Sequence, residues 1–175
     1  GMNYPPAFTM LGIHLIEKER DIAGGLEYLV KAVELKDGDA GYYIGKLYDE
    51  GKIVDQNEYY AVKYYADGAK YGNADAQYNV GIKMLKSGDK SNYARGISYL
   101  KKSAGNNHKQ ACVELSKLFI TDNDFVSVSK RDHITYLTCA AMAGDDDSTL
   151  ELADYYRIGK ICLLYTSPSP RDQRG

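Results

Sequence analysis

Apolar and small residues return at three- and four-residue intervals along most of this chain, with polar residues filling the positions between them. The stretch AGYYIGKLY (residues 40–48) shows the unit. It holds a small residue, an aliphatic four positions on, a second small residue beside it, and a large one three further along. The figure recurs at Ala7, Leu11, Gly12 and Leu15, and at Ala76, Val80, Gly81 and Met84. It returns at Ala111, Leu115, Ser116 and Phe119, and at Ser148, Leu152, Ala153 and Tyr156. Such spacing predicts one face of an α-helix, because residues three and four apart lie above one another. All four prolines lie near the ends, at Pro5, Pro6, Pro168 and Pro170, so nothing between them forbids a helix. Only FVSVS (residues 125–129) alternates in the manner of a strand. The fold class expected is all-α.

A second figure follows each of the first four. It reads Tyr28-Leu29 with Ala32, Tyr64-Tyr65 with Gly68, Tyr99-Leu100 with Ser103, and Tyr136-Leu137 with Ala140. Tyrosine fills 17 of 175 positions, so four aligned tyrosines are poorly explained by composition. The second small residue of the first figure falls at Gly12, Gly45, Gly81, Ser116 and Ala153, in steps of 33, 36, 35 and 37. A period of this length marks stacked supersecondary units. Glycine inside a helix costs up to about 1 kcal/mol against alanine, so its return at one register points to close packing of two helices. DQNE (residues 55–58), SKRD (129–132) and STLE (148–151) have capping-box spacing and predict helix starts. Gly72, Gly144 and Asn107 fall where left-handed residues close helices.

The segment AGYYIGKLYDEGKIVDQNEYYAVKYYADGAKYGNADAQYNVG (residues 40–81) resembles a Sel1-like repeat running into the next one. Ala40, Ile44-Gly45, Tyr48, Gly51, Asp55, Ala61, Tyr64-Tyr65, Ala69 and Gly72 fill the slots of that pattern. The first repeat departs by lacking a Gly-rich loop, and the fourth by carrying Ser116 for Gly and His133 for Ala. Tetratricopeptide repeats are the related alternative. The resemblance implies an α-solenoid of antiparallel helical hairpins wound into a right-handed superhelix, over residues 1–161. Its repeats run at about 5–38, 39–73, 74–108 and 109–147, with a partial one at 148–161. It further implies a scaffold or adaptor that offers a concave groove to a protein or peptide.

In such a groove the first helices face the partner. The position two before the aliphatic of the figure is Thr9, Tyr42, Tyr78, Val113 and Leu150. Four residues on stand Ile13, Lys46, Ile82, Lys117 and Asp154. The partner-binding residues expected are therefore Tyr42, Lys46, Tyr78, Ile82, Val113 and Lys117, an apolar strip flanked by lysines. The competing reading is that the tyrosines pack between adjacent repeats.

The formal charge of −2, with scattered Lys and Arg, speaks against a nucleic-acid partner. No apolar run approaches the roughly 18 residues of a membrane span. Cys112, Cys139 and Cys162 form no C-x-x-C pair, and an odd sparse count predicts reduced thiols and a cytoplasmic location, with a periplasmic or secreted one left open. SYLK (98–101) and SVSK (127–130) have the S-x-x-K spacing of penicillin-recognising serine enzymes, and TDN (121–123) is similar to their S-D-N, but no K-T-G element stands in order. DNDFVS (122–127) opens like a calcium loop yet lacks Gly at its sixth place and has His133 in place of the Glu. His14, His108 and His133 are scattered, and the acids of GDDDS (144–148) suit a helix N-terminus. No enzyme activity, metal or cofactor is expected, and the chain is expected to be a monomer. Two alternatives stay open: a regulatory or targeting segment of a larger enzyme, and a β-lactamase-like secreted hydrolase. The final residues break the figure in mid-hairpin. CLLYTSPSPRD (162–172) resembles the translation of a sequencing-library adapter, so residues 162–175 are expected to be a non-native, disordered tail.

Overall fold

Helix after helix follows the small-residue figure in the computed structural model, which describes residues 4–121 and 125–158. The first helices are α1 (Pro5–His14), α3 (Gly38–Glu50), α5 (Ala74–Lys86) and α7 (Lys109–Ile120). Their partners are α2 (Ile22–Glu34), α4 (Glu58–Lys70), α6 (Lys90–Gly105) and α8 (Lys130–Met142), and α9 (Asp146–Arg157) stands last among the described residues. This is the expected all-α solenoid of helical hairpins. The chain divides into two compact units, the first ending at His108 and the second starting at Lys109. The tail at 162–175 lies outside the described residues, as does the opening of the DNDFVS stretch.

The glycines explain why the helices pair. A Cβ on Gly12 would lie 2.7 Å from the Leu29 side chain, one on Gly45 2.6 Å from the Tyr65 ring, and one on Gly81 3.0 Å from Leu100. Each is the small residue of the first figure meeting the second member of the Tyr-Leu or Tyr-Tyr pair. Leu29, Tyr65, Leu100 and Leu137 are in turn almost wholly buried. The leading tyrosines pack outward on rings of the first helix: Tyr28 on Phe8, Tyr64 on Tyr48 and Tyr136 on Phe119. Both figures of the sequence thus serve one hairpin contact.

Turns between hairpins repeat a single design. Three residues separate α2 from α3, α4 from α5, α6 from α7 and α8 from α9. In them Lys36, Gly72, Asn107 and Gly144 are left-handed, and each N–H donates to the carbonyl three residues back. Lys36 was missed by sequence, because lysine carries no left-handed preference. The connections within hairpins are less regular. Between α1 and α2 a π-helical stretch (Leu15–Glu19) ends at left-handed Arg20. The connection before α4 is pinned by the Asn57 N–H donating to Tyr48 O and by Gln56 Nε2 donating to Asp49 O.

Two helix starts differ from expectation. Asn57, not Asp55, caps α4 by accepting from the Tyr60 N–H, and Asp145, not Ser148, caps α9. The reason is competition: a better-placed acceptor stood two or three positions away. Ser129 caps α8 as its spacing foretold, accepting from Asp132 N while its hydroxyl donates to the Asp132 carboxylate.

Cysteine chemistry is the larger correction. Cys112 of α7 and Cys139 of α8 form a disulfide, with Cα atoms 5.7 Å apart, inside the usual range. An antiparallel hairpin brings residues 27 positions apart into register, and neither the odd cysteine count nor the lack of C-x-x-C spacing reveals that. Cys162 lies outside the described residues.

Candidate functional site

The first helices α3 and α5 carry the expected groove positions of the first unit. Tyr42 is half-buried, its ring 6.0 Å from that of Tyr65 and packed on the cluster of Ala61, Ala69, Ala76 and Val80. Burial, and then the Asp75 carboxylate, raise its phenol pKa. Tyr78 is also half-buried and stacks on the His108 imidazole with centroids 4.7 Å apart. That imidazole is itself held by Asp75, 3.2 Å from Nε2. Ile82 is half-buried, whereas Lys46 is exposed with Glu50 3.8 Å away. Each tyrosine is therefore only partly exposed, Tyr42 packing on Tyr65 and Tyr78 on His108.

Thr9 departs from the groove expectation. It is buried, and its hydroxyl donates to Asp37 Oδ2 at 2.7 Å, tying α1 to the following turn. In the second unit Val113 is half-buried and Lys117 exposed beside Glu114 at 3.9 Å. Leu150 is exposed on α9, and Asp154 pairs with Arg157 there. Each of Lys46 and Lys117 thus has an acid within a turn, so their positive field is weaker than the sequence alone implies.

Sequence reasoning missed Tyr43. Its hydroxyl donates to Glu17 at 3.0 Å, and burial with that bond pushes its pKa up to about 12. With Lys46 and Ile53 it lines a depression of about 230 Å³ on α3. The signal available was its three-residue spacing from Lys46.

Other expected chemistry lands apart. Ser98 and Lys101 are exposed on α6, while Ser127 precedes α8 and Lys130 opens it. His14 lies near Glu19 at 3.4 Å, away from His108. His133 is 2 % exposed and occupies the slot held by Gly25, Ala61 or Gly96 in the other hairpins. Its Nδ1 lies 2.9 Å from Ser116 O, a carbonyl that can only accept, so this nitrogen carries the proton. Nε2 stands 3.2 Å from a Glu151 carboxylate oxygen but is not aligned as a hydrogen bond. No group of three or more His, Cys, Asp or Glu among the described residues could hold a metal ion. No helix among them is long and apolar enough to cross a membrane.

Hairpins joined by small residues, with three-residue turns between them, define an α-solenoid repeat protein, and solved structures specify the kind. A Sel1 repeat protein from Oxalobacter formigenes superposes with a TM-score of 0.72 at 24% identity, over 87% of this chain and 64% of its own. The protective antigen c5321 of uropathogenic Escherichia coli, described as displaying an SLR fold, gives 0.72 at 21% identity over 89% of this chain and 34% of its own. The immunity protein Pa5087 of Pseudomonas aeruginosa gives 0.55 at 22% identity, over 89% of this chain and 59% of its own. The chain has the Sel1-like repeat fold, and it spans less than two thirds of the length of these neighbours. No protein-family profile matches the sequence, and no curated protein matches it.

Proposed function

We propose that this chain is a protein-interaction scaffold that takes a protein or peptide on its first helices. Tyr42, Lys46, Tyr78 and Ile82 serve in the first unit, and Val113 and Lys117 in the second. The observation that carries the reading is the pair Tyr42 and Tyr78, both half-exposed, with rings held by packing on Tyr65 and His108. Rigid, half-exposed aromatics of this sort are the side chains that most often dominate binding energy. The fold favours the same class of function, since stacked hairpins build extended surfaces without enclosing a reaction site.

Photo-crosslinking tests it. A photoreactive residue is placed at Ile82 or Lys46 and, as reference, at Ser98, an exposed position on the second helix of the third hairpin. A partner labelled from Ile82 and Lys46 but not from Ser98, and lost in Tyr78→Ala, supports the proposal. Equal labelling from both faces refutes it. The Cys112–Cys139 disulfide supports an oxidising compartment for this chain in place of the cytoplasm.

A further inference from the structure

The ends of α4, α5 and α6 bear a site made of residues other than those of the groove. The first turns of α4, the last turn of α5 and the start of α6 enclose a depression of about 800 Å³, within the range of about 300–1,000 Å³ typical of ligand pockets. Its floor is apolar: Val62 and Met84 are half-buried and rest on the cluster of Ala61, Tyr65 and Val80. Tyr59 is 74% exposed and stands at its side, edge-on to Tyr60 with centroids 5.5 Å apart. The rim is cationic. Lys83 is mostly buried and already neutralised, with Asp49 at 2.7 Å and Glu58 at 3.9 Å. Lys63 and Lys86 are both on the rim and open to solvent. Lys63 lies over the Tyr64 ring at 5.1 Å, and neither it nor Lys86 has an ion-pair partner among the described residues.

We infer that this depression binds an extended acidic peptide, with one apolar side chain on the floor and the carboxylates that flank it between Lys63 and Lys86. The floor accounts for the apolar side chain. Val62 and Met84 are too exposed to be core, and Tyr59 offers a ring face against which an aliphatic or aromatic group loses water. The rim accounts for the acids. Two cations with no carboxylate partner among the described residues flank an apolar patch, on a chain whose net charge is −2, so the positive potential is local and complements an acidic segment. Methionine in the floor suits side chains of differing shape, because its thioether chain repacks readily. A nucleic acid fits less well, because it needs cations tracking a backbone, and here they stand at two points beside an apolar floor.

The test uses the full chain and fluorescein-labelled peptides of about ten residues, Gly/Ser-flanked, each with one Leu or Phe followed by two Glu, in fluorescence polarisation. Matched peptides carry Gln for Glu, or Ser for the apolar residue, and an oligo-dT strand serves as competitor. The acidic peptides should bind saturably, and each matched change should weaken binding about tenfold. Lys63→Glu with Lys86→Glu should weaken the acidic peptides about tenfold while leaving the Gln peptides unchanged. Both side chains reach solvent, so thermal unfolding of this variant should match that of the parent. Tyr59→Ala, at a position 74% exposed, gives a second variant that leaves the core untouched, and it should weaken both peptide types. Insensitivity to the Gln change, to the lysine reversal, or to both overturns the inference. So does the absence of binding by every acidic peptide, or displacement by oligo-dT at equal concentration. The inference does not rest on the first-helix groove: crosslinks formed from Ile82 should survive the lysine reversal, so the two readings fail separately.

Discussion

Gly41→Ala should destabilise the first unit although alanine is the better helix former. A Cβ built at Gly41 would lie 2.6 Å from Gly68 N, 2.8 Å from Gly68 Cα and 3.0 Å from Tyr64 O. All three atoms belong to the main chain of α4, so no side chain can swing aside. Ordinary contact begins near 3.4 Å, and α3 and α4 would have to move apart by about 0.8 Å in an interior packed like a crystal. Overpacking of this kind costs about 1–3 kcal/mol, and a clash with backbone belongs at the upper end. Alanine's helix preference returns about 1 kcal/mol, leaving a net loss of about 2 kcal/mol. Gly105→Ala is the control, since nothing lies within 4 Å of its added Cβ. That change should be neutral or stabilising by up to about 1 kcal/mol. Urea unfolding followed by circular dichroism reads both. With a slope of about 2 kcal/mol per molar urea, the midpoint for Gly41→Ala should fall by about 1 M. A midpoint for Gly41→Ala equal to or above that of the parent would refute the close approach of α3 and α4.

Reduction of the Cys112–Cys139 disulfide, or Cys112→Ser with Cys139→Ser, releases a loop closed over a separation of 27 residues. Loop-closure entropy then gives a loss of about 3–4 kcal/mol, read as a lower midpoint for the second unit in reductant. Mass spectrometry of the alkylated, unreduced chain should find both sulfurs blocked to alkylation. At alkaline pH the buried phenols set the trend. Tyr43 titrates near 10 when unfolded and at about 12 when folded, so its contribution is fully present below pH 10 and lost as pH rises toward 12. Stability should fall over that window, and Tyr43→Phe should flatten the fall without changing the midpoint at neutral pH by more than about 1 kcal/mol.

The hairpins were legible in the sequence because packing writes itself at fixed spacing. Gly12, Gly45 and Gly81 had to be small for the reason that Leu29, Tyr65 and Leu100 are large, and that reciprocity shows in both figures. Left-handed Gly72, Asn107 and Gly144 were legible for the same kind of reason, one backbone conformation favouring few residues. The disulfide was not, because its partners meet only after the hairpin has formed. Nor were the capping residues Asn57 and Asp145, where neighbouring polar side chains offered near-equal acceptors. On the candidate site the sequence named the helical face of Tyr42 and Tyr78 but not their depth. Depth depends on Tyr65 and His108, which arrive from other helices or turns. The depression over Val62 and Met84 was invisible for a related reason: its lining comes from the starts of two helices and the end of a third, with no period to betray it.

Each hairpin is separated from the next by three residues, while the connections inside hairpins run from three residues between α5 and α6 to nine between α7 and α8. One set of connections is thus held to measure, and the other is not. Side chains of the measured turns also reach the start of the preceding first helix, with Asn73 donating to Asp39 of α3 and His108 reaching Asp75 of α5. An added or deleted residue there would rotate a whole helix out of its seat. Inside a hairpin, new length bulges into solvent and leaves the stack alone. Growth, grafted epitopes and inserted reporter segments therefore have an address on this protein: the exposed Lys52–Ile53 step of the seven-residue connection between α3 and α4, ahead of Gln56 and Asn57, which pin the connection to Asp49 and Tyr48.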